Sequence, residues 1–270
     1  MSRSIAFIGA GKMVSAIVKS LLRTDSFTPE QISCCSAIDG TSERLASATG
    51  IIRFDSVEKM LSAKPSVLVL GCKPQQLGEL PSSITEKASD CLILSIMAGI
   101  TLSRLSEVFA SARNIVRSMP NTPGQIGKGV TGYCFHKKPE QEDLAFIDTI
   151  LSSLGPAYEL GEESDIDRVT AISGSGPAYV FEFTCALEEA GRAIGLSDKL
   201  ARKLALHTVT GAAHLMESSE LQPKELRDQV TSPNGTTQAA LESFSADELR
   251  SIVRHAVEAA RTRSIELSNE

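Results

Sequence analysis

A turn between two helical patterns carries the strongest chemical signal in the sequence. Residues 228–237 read DQVTSPNGTT, with small hydroxyl residues around a proline and a glycine. Pro233 and Gly235 break the preceding helix, and Thr236 and Thr237 stand where the next one begins. The first backbone N–H groups of a helix have no partner within it and carry a partial positive charge. A helix start bordered by hydroxyl groups predicts a binding site for a small carboxylate.

A second chemical signal lies near the N-terminus, where Gly9-Ala10-Gly11 follows an apolar strand pattern and precedes a helical one. This context is typical of a dinucleotide-binding loop. Gly9 allows the tight turn, and Gly11 lets the backbone approach a pyrophosphate over the helix start. Val14 stands where that motif has its third glycine, so we expect the helix to lie slightly farther from the sheet. The alternative is a purely structural glycine turn.

The end of the second strand predicts which dinucleotide binds. An acidic residue there would accept a hydrogen bond from the ribose 2′-hydroxyl of NAD. The chain instead has Ser36, with no carboxylate before Asp39. A small hydroxyl tolerates a 2′-phosphate, and Arg44 is near enough in sequence to neutralise it. The pattern favours NADPH, with NADH as the alternative cofactor; Arg44 as a solvated helix residue is the competing interpretation.

Three more loops follow predicted strands. Gly71-Cys72-Lys73-Pro74 and Met97-Ala98-Gly99 leave the same carboxyl edge, against which ligands bind in open α/β sheets. Lys73 is a candidate contact for a phosphate, a ribose or the substrate, unless it is simply solvated. Residues 117–123 form a rigid turn with two prolines, suited either to the nicotinamide side of the crevice or to a structural role alone.

The elements that position these residues follow from hydrophobic periodicity. Short apolar runs predict strands at residues 4–8, 32–36, 66–70, 91–96, 114–118, 129–134 and 157–160. Helical patterns occupy residues 13–22, 56–63, 77–88, 101–110, 139–154, 166–172, 177–194, 198–217, 223–230, 237–243 and 246–267. Apolar strands alternating with helices indicate a parallel sheet that is buried on both faces. Only helical patterns follow residue 165, so we predict a dinucleotide-binding domain at 1–162 and a helical domain at 163–270.

Composition excludes several classes of protein. The net charge of −6 comes without any lysine- or arginine-rich block, which argues against nucleic-acid binding. The longest apolar run, residues 91–98, is too short to span a bilayer. No signal-peptide pattern precedes the first strand, and six cysteines without a CxxC pair indicate free thiols in a reducing cytoplasm. The four histidines show no metal-ligand spacing with the cysteines, so we expect no metal site.

The order of these motifs resembles that of the pyrroline-5-carboxylate reductase family. The resemblance rests on Gly9-Ala10-Gly11-Lys12-Met13, Lys73-Pro74, Met119-Pro120-Asn121-Thr122-Pro123, SGSGPAY at residues 173–179, and residues 228–237. It extends over about residues 4 to 267. The last two motifs are long and specific, whereas the first is shared with many dehydrogenases.

The resemblance implies an oxidoreductase acting on CH–NH groups, which reduces 1-pyrroline-5-carboxylate to L-proline with NAD(P)H in the last step of proline synthesis. It implies a Rossmann-type α/β domain followed by an all-α dimerisation domain that forms an intertwined homodimer. In the family such dimers often assemble further, into decamers. Each active site then combines the cofactor of one subunit with helices of another.

The resemblance also implies roles for single residues. Ser232, Thr236 and Thr237 match the residues that hold the substrate carboxylate, and Thr237 would place its hydroxyl near the ring nitrogen. Glu163 matches an acidic residue close to the substrate. The matches to the cofactor shell are Gly9, Ala10, Gly11, Lys12, Met13, Val14, Ser36, Asp55, Cys72, Lys73, Pro74, Ala98 and Gly99.

Three positions depart from the family pattern. Asp55 falls where the family often has asparagine, Gln229 where some members have asparagine, and Asn234 where glycine is frequent. Asparagine, like glycine, tolerates a left-handed backbone conformation. These departures affect cofactor preference and the local geometry of the loops, and they leave the reaction class intact.

Two other functions compete with the imine reductase. A different two-domain NADP dehydrogenase, such as a 3-hydroxyacid dehydrogenase, would need a catalytic lysine on an interdomain helix. Lys199 and Lys203 are the helical candidates, but neither lies in a matching motif. A non-catalytic nucleotide-binding regulator could retain Gly9 and Gly11, yet it would have little use for the turn at residues 232–237.

Overall fold

The computed structural model describes residues 4–269, which form two compact units. The first unit contains the chain up to Ser175 together with the C-terminal segment from Ala260, and the second is Gly176–Ala259. The expectation that no signal peptide precedes the first strand concerns Met1–Arg3, which lie outside the described residues.

A mostly parallel sheet forms the centre of the first unit. Its strands are β1 (Ile5–Ile8), β2 (Ile32–Cys35), β3 (Ile52–Arg53), β4 (Val67–Leu70), β5 (Leu92–Ser95), β6 (Asn114–Met119), β7 (Thr131–Phe135) and β8 (Ala157–Glu159). Within the described residues it has eight strands in the order β3-β2-β1-β4-β5-β6-β7-β8. The first six positions are those of the doubly wound dinucleotide-binding fold, so the predicted Rossmann-type architecture is confirmed.

Helices cover both faces of this sheet. Those before the second unit are α1 (Lys12–Arg23), α2 (Thr41–Thr49), α3 (Val57–Leu61), α4 (Ile84–Lys87), α5 (Leu102–Val108), α6 (Gln141–Ser152) and α7 (Asp165–Val169). Alternate strand residues enter separate cores: Phe7 and Val69 pack with Ile17 of α1, whereas Leu68 and Ile93 face the opposite side. Each core buries one side of the central strands, as the continuous apolar runs predict.

One strand departs from the predicted parallel sheet, because β7 pairs antiparallel with β6. A parallel crossover needs a dozen or more residues, usually including a helix. Only a short turn, Thr122–Ile126, lies between Met119 and Thr131, so the chain reverses direction. The next connection contains α6, and β8 accordingly pairs parallel with β7.

The predicted helix at residues 77–88 is wrong as a continuous element. The chain forms a 3₁₀ turn at Pro74–Glu79 and resumes as the short helix α4 after a break. Pro81 lies in that break. Proline lacks a backbone N–H and disfavours helical backbone at the residue before it, which explains the interruption.

The second unit is entirely helical. It contains α8 (Gly176–Ala193), α9 (Asp198–Ser218), α10 (Pro223–Gln229), α11 (Thr236–Ala246) and the first part of α12 (Leu249–Asn269). The break between the last two helices is at Asp247 and Glu248, rather than at the predicted residues 244–245. Glu248 has a φ of +52°, a left-handed conformation that no α-helix can contain.

The compact units divide the chain differently from the predicted boundary at residue 162. Ile166 of α7 is buried in one of the sheet cores, which draws the residues after 162 into the first unit. Ser264, near the end of α12, donates a hydrogen bond to Asp167 at 2.6 Å. The sequence pattern changes where the run of helices begins. The packed first unit, however, continues to Ser175 and also includes the C-terminal segment from Ala260.

The six cysteines are all free thiols in this structure. Burial raises the pKa of Cys34, Cys91 and Cys134 from an ordinary 9.0 to about 11, so these thiols stay protonated at neutral pH. Within residues 4–269 no helix is long and apolar enough to cross a membrane. No cluster of three or more histidine, cysteine or acidic side chains suited to a metal occurs in that same range.

Candidate functional site

Two glycines in the turn after β1 serve different physical needs. Gly9 has a φ of +97°, and a Cβ there would lie 2.5 Å from the carbonyl oxygen of Gly71. Backbone conformation and packing therefore both require glycine at this position. Gly11 has an ordinary φ of −69°, and nothing lies within 4 Å of a Cβ built on it. Neither backbone conformation nor packing requires glycine at position 11. What the missing side chain provides there is open space at the start of α1.

The missing third glycine of the dinucleotide motif is compensated from the sheet. Val14 is buried on α1, and its Cγ2 occupies the space that a Cβ on Gly71 would need. Gly71 directly follows β4, the strand beside β1. The glycine that permits close packing of helix on strand is therefore on the strand side, which removes the reason to expect α1 farther from the sheet.

A cleft of about 510 Å³ opens at the carboxyl ends of β1, β2 and β4. It brings together seven of the predicted cofactor residues, namely Gly9, Ala10, Gly11, Ser36, Asp55, Cys72 and Lys73. Lys12 lines a neighbouring cleft of about 650 Å³ that shares Ala10 and Gly11 with the first. The other predicted cofactor residues, Met13, Val14, Pro74, Ala98 and Gly99, line neither cleft.

Asp55 and Lys73, which line the cleft, form hydrogen bonds with residues close to them in the sequence. Asp55 accepts a hydrogen bond from Lys59 at 2.8 Å, which lowers the pKa of its carboxyl group. The backbone N–H of Lys73 donates to Oε1 of Gln76 at 3.0 Å, which fixes the start of the following 3₁₀ turn. Burial raises the pKa of Cys72, so this half-buried residue presents a neutral thiol to the cleft.

The Ala98-Gly99 loop packs against the end of the chain. Gly99 has a φ of +74°, and a Cβ there would lie 2.9 Å from the carbonyl oxygen of Leu267. Close approach of α12 thus accounts for glycine at this position. A cofactor contact for Ala98 and Gly99 stays a prediction.

Glu163 lies in a hydrogen-bonded cluster within the first unit. Its Oε1 accepts hydrogen bonds from the backbone N–H of Leu102, the first residue of α5, and from Arg117, both at 2.7 Å. Arg117 is 3% exposed, and its other terminal nitrogen donates to Ser268 at 3.2 Å. These contacts give Glu163 a structural role that the sequence did not indicate; its contact with substrate stays a prediction.

We expect Arg117→Met to lower the free energy of unfolding by about 1–3 kcal/mol, because Glu163 and Ser268 lose a buried, charged donor. Glu163 is partly exposed and can turn toward water, which limits the loss. Arg104→Met is the matched control, since Arg104 forms an exposed pair with Glu107 on α5. That change should cost under about 0.5 kcal/mol. Equal shifts in denaturation midpoint, measured at one protein concentration, would contradict a stabilising role for Arg117.

The predicted carboxylate-binding turn lies in the second unit and has an open helix start. Gly235 is the N-cap of α11, and among the described residues no side chain caps it. Ser232 lies close over this end, where its Oγ would overlap a Cβ on Gly235. Thr236 and Thr237 are the first two residues of the helix. The turn therefore offers backbone N–H groups and hydroxyl groups at one helix end.

Asn234 adopts the left-handed conformation expected of it, with a φ of +58°. Its backbone N–H donates to Oε1 of Gln238 at 2.8 Å. Asparagine is one of the few residues besides glycine that visits this region readily. The left-handed backbone at position 234 is therefore compatible with asparagine as well as with glycine.

Sequence reasoning assigned no role to several residues of the cleft at the carboxyl ends of β1, β2 and β4. Asp39, Thr41, Ser56 and Gln76 line it beside the predicted residues. Thr41 begins α2, directly after the loop that follows β2. The sequence signal that could have identified Thr41 is a hydroxyl residue at the start of the helix after the second strand.

Comparisons with known proteins cover the whole chain. The model of the family described as pyrroline-5-carboxylate reductase dimerisation matches residues 163–267. The family described as NADP oxidoreductase coenzyme F420-dependent matches residues 4–99. A pyrroline-5-carboxylate reductase of Pseudomonas aeruginosa is 39% identical, with 98% of this chain and 97% of the relative covered.

Solved structures agree with these matches. A pyrroline-5-carboxylate reductase from Coxiella burnetii superposes with a TM-score of 0.91 at 30% identity, covering 99% of both chains. The pyrroline carboxylate reductase of Plasmodium falciparum, solved with NADP bound, has a TM-score of 0.84 at 30% identity, covering 99% of this chain and 98% of that one.

Proposed function

The chain belongs to the pyrroline-5-carboxylate reductase family, and from this we propose how its residues divide the work of that reaction. The enzyme is an oxidoreductase that reduces 1-pyrroline-5-carboxylate to L-proline with NAD(P)H, the reaction of the family to which it belongs. The open space over Gly11, at a helix start, carries the assignment of the cofactor site.

NADPH is the cofactor we assign to the cleft at the carboxyl ends of β1, β2 and β4. The N-terminal N–H groups of α1 stabilise its pyrophosphate, since Gly9 makes the turn and Gly11 leaves room for close approach. Ser36 and Asp55 face the adenosine side, and Cys72 and Lys73 line the next loop along. When bound, NADPH supplies the hydride; the residues of the chain position the two reactants.

The turn at Ser232–Gly235 and the start of α11 bind the substrate carboxylate. Backbone N–H groups of the first helical turn donate to the carboxylate, and the helix dipole favours its negative charge. The hydroxyl groups of Ser232 and Thr236 add donors at the same end. Glu163 completes the proposed set as an acidic group close to the substrate, held in place by Arg117.

Thr237 orients the ring nitrogen of the imine. Protonation of that nitrogen makes the adjacent carbon electrophilic, and water or bulk acid is the ultimate source of the proton. A carboxylate gripped at the helix start fixes the ring beside the Thr237 hydroxyl, so the reacting carbon is held in one orientation. Proximity and orientation can lower a barrier by roughly 7–11 kcal/mol in favourable cases, which explains why the reaction needs no nucleophile.

The helical unit forms the homodimer. Between residues 176 and 259 the described buried apolar residues are Ala201 and Ala205 alone. Large apolar side chains, including Phe181, Phe183 and Leu204, are instead exposed. A helical unit with so small a core of its own needs a second copy to cover its apolar faces. We further propose that the dimers assemble into a decamer, in which each active site contains residues of two subunits. We also propose a cytoplasmic location, which the free thiols support.

An assay of the purified protein tests the function. Addition of pyrroline-5-carboxylate to enzyme and NADPH should oxidise the cofactor and form proline, which mass spectrometry identifies. Oxidation of a 3-hydroxy acid with NADP⁺, without proline formation, would favour the dehydrogenase alternative. Cofactor binding without either reaction would favour a regulator. Light scattering measures the assembly separately, and a monomer would contradict the role of the helical unit.

A further inference from the structure

Asp39, in the loop after β2, holds the hydrogen-bond donors at the start of α2. The backbone N–H and the hydroxyl of Thr41 donate to its Oδ1 at 2.9 and 2.6 Å. Oγ of Ser36 lies 3.3 Å from the same oxygen. The hydrogen bonds from Thr41 lower the pKa of Asp39, so its carboxyl group is ionised at neutral pH. An internal anion therefore occupies this cluster of donors.

The cluster also belongs to the nucleotide cleft, the one at the carboxyl ends of β1, β2 and β4 to which we assign NADPH. Ser36, Asp39 and Thr41 line the cleft together with Gly9 and Gly11. In this fold the residues at the end of the second strand contact the adenosine ribose, where NADP carries its extra phosphate. The donors that Asp39 uses are thus those available to a 2′-phosphate.

Cations also lie near Thr41, and the charge of one of them, Arg44, helps to lower the pKa of Asp39. A Cβ on Gly40 would lie 2.9 Å from a terminal nitrogen of Arg44, so the guanidinium folds over the loop. Lys12, Lys19 and Arg44 line the neighbouring cleft, which shares Thr41 with the nucleotide cleft and has no acidic residue among its lining residues. An anion bound at Thr41 would therefore have donors and positive charge around it, with Asp39 as the opposing group.

We propose that Asp39 determines cofactor specificity by competing with the 2′-phosphate of NADPH for the donors of Thr41 and Ser36. This rests on the proposed cofactor site. Two anions cannot share these donors without strong repulsion, so NADPH binds only when the Asp39 carboxylate moves away. With NADH the carboxylate stays on Thr41. Its Oδ2, which takes none of these three hydrogen bonds, is available to accept one from the ribose 2′-hydroxyl.

The test compares Asp39→Asn and Asp39→Ala with the unmodified enzyme. Calorimetry gives the Kd of NADP⁺ and of NAD⁺ without substrate, and steady-state assays give kcat/KM for NADPH and NADH. We expect the preference for the phosphorylated cofactor to rise about tenfold in both measurements, since the like charge is gone. NADP⁺ should bind more tightly and NAD⁺ more weakly.

Glu43→Gln is the matched control, because it removes a negative charge close to Asp39. Glu43 pairs with Arg53 and lines neither cleft. An unchanged preference in Asp39→Asn, or a rise that Glu43→Gln reproduces, would overturn the proposal. Asp39→Asn keeps the shape of the loop and decides the matter if Asp39→Ala unfolds. Absence of proline formation by the unmodified enzyme would instead count against the proposed function, and the calorimetric comparison would still test Asp39.

Discussion

Replacing Thr237 with alanine should lower kcat/KM for pyrroline-5-carboxylate about 100-fold and leave the Kd of NADPH unchanged. Such a loss corresponds to ~2.7 kcal/mol of transition-state stabilisation. The hydroxyl of Thr237 lies at the second residue of α11, at the open helix start to which we assign the carboxylate. Its effect should be confined to substrate because Thr237 is not among the residues that line the cleft assigned to NADPH.

Two controls isolate the hydroxyl of Thr237. Thr237→Ser keeps the group and should retain most of the activity. Thr210→Ala removes a helical threonine hydroxyl that donates to the backbone of its own helix at Leu206, and it should change neither kinetic constant. Normal turnover of Thr237→Ala would show that this residue does not orient the imine.

Gly9→Ala should destabilise the first unit by about 3 kcal/mol or more, or prevent folding. The added methyl would lie 2.5 Å from the carbonyl oxygen of Gly71 and 2.7 Å from the backbone nitrogen of Cys72. Those are backbone atoms next to a buried strand, so they cannot swing aside as a side chain could. The φ of +97° adds conformational strain to the clash. Chemical denaturation of the variant measures the loss.

Gly11→Ala is the informative partner of this variant. Its added methyl meets nothing within 4 Å, and its backbone conformation is ordinary, so the unfolding midpoint should not change. The KM for NADPH should rise, because the methyl enters the space assigned to the pyrophosphate. An equal loss of stability in both variants would contradict the distinction between the two glycines.

The sequence predicts the dinucleotide-binding half well because its signals are local. Apolar strands, helical periodicity and the position of Gly9 and Gly11 each depend on a few neighbouring residues. The same holds for the helix start at Thr236 and for the left-handed Asn234. Predictions of this kind need no knowledge of which elements pack together.

The remaining features depend on contacts between distant residues. Glu163 and Arg117 are 46 positions apart, and nothing in either segment marks them as a pair. The return of Ser264 to Asp167 joins residues 97 apart. Strand direction at β7 was accessible in principle, since the connection from β6 is too short for a crossover. Sequence motifs identify candidate ligand contacts, but the packing role of Glu163 appears only in the folded chain.

The packing of Val14 on Gly71, with the glycine on the strand and the larger residue on the helix, affects how relatives of this protein are recognised. A Cβ at position 71 would overlap the Val14 side chain, so we expect substitutions at the two sites to be coupled in evolution. Alignments should show bulk at one site accompanied by glycine at the other. A search pattern that demands the third glycine of the fingerprint would discard this chain, whereas a two-position rule would keep it.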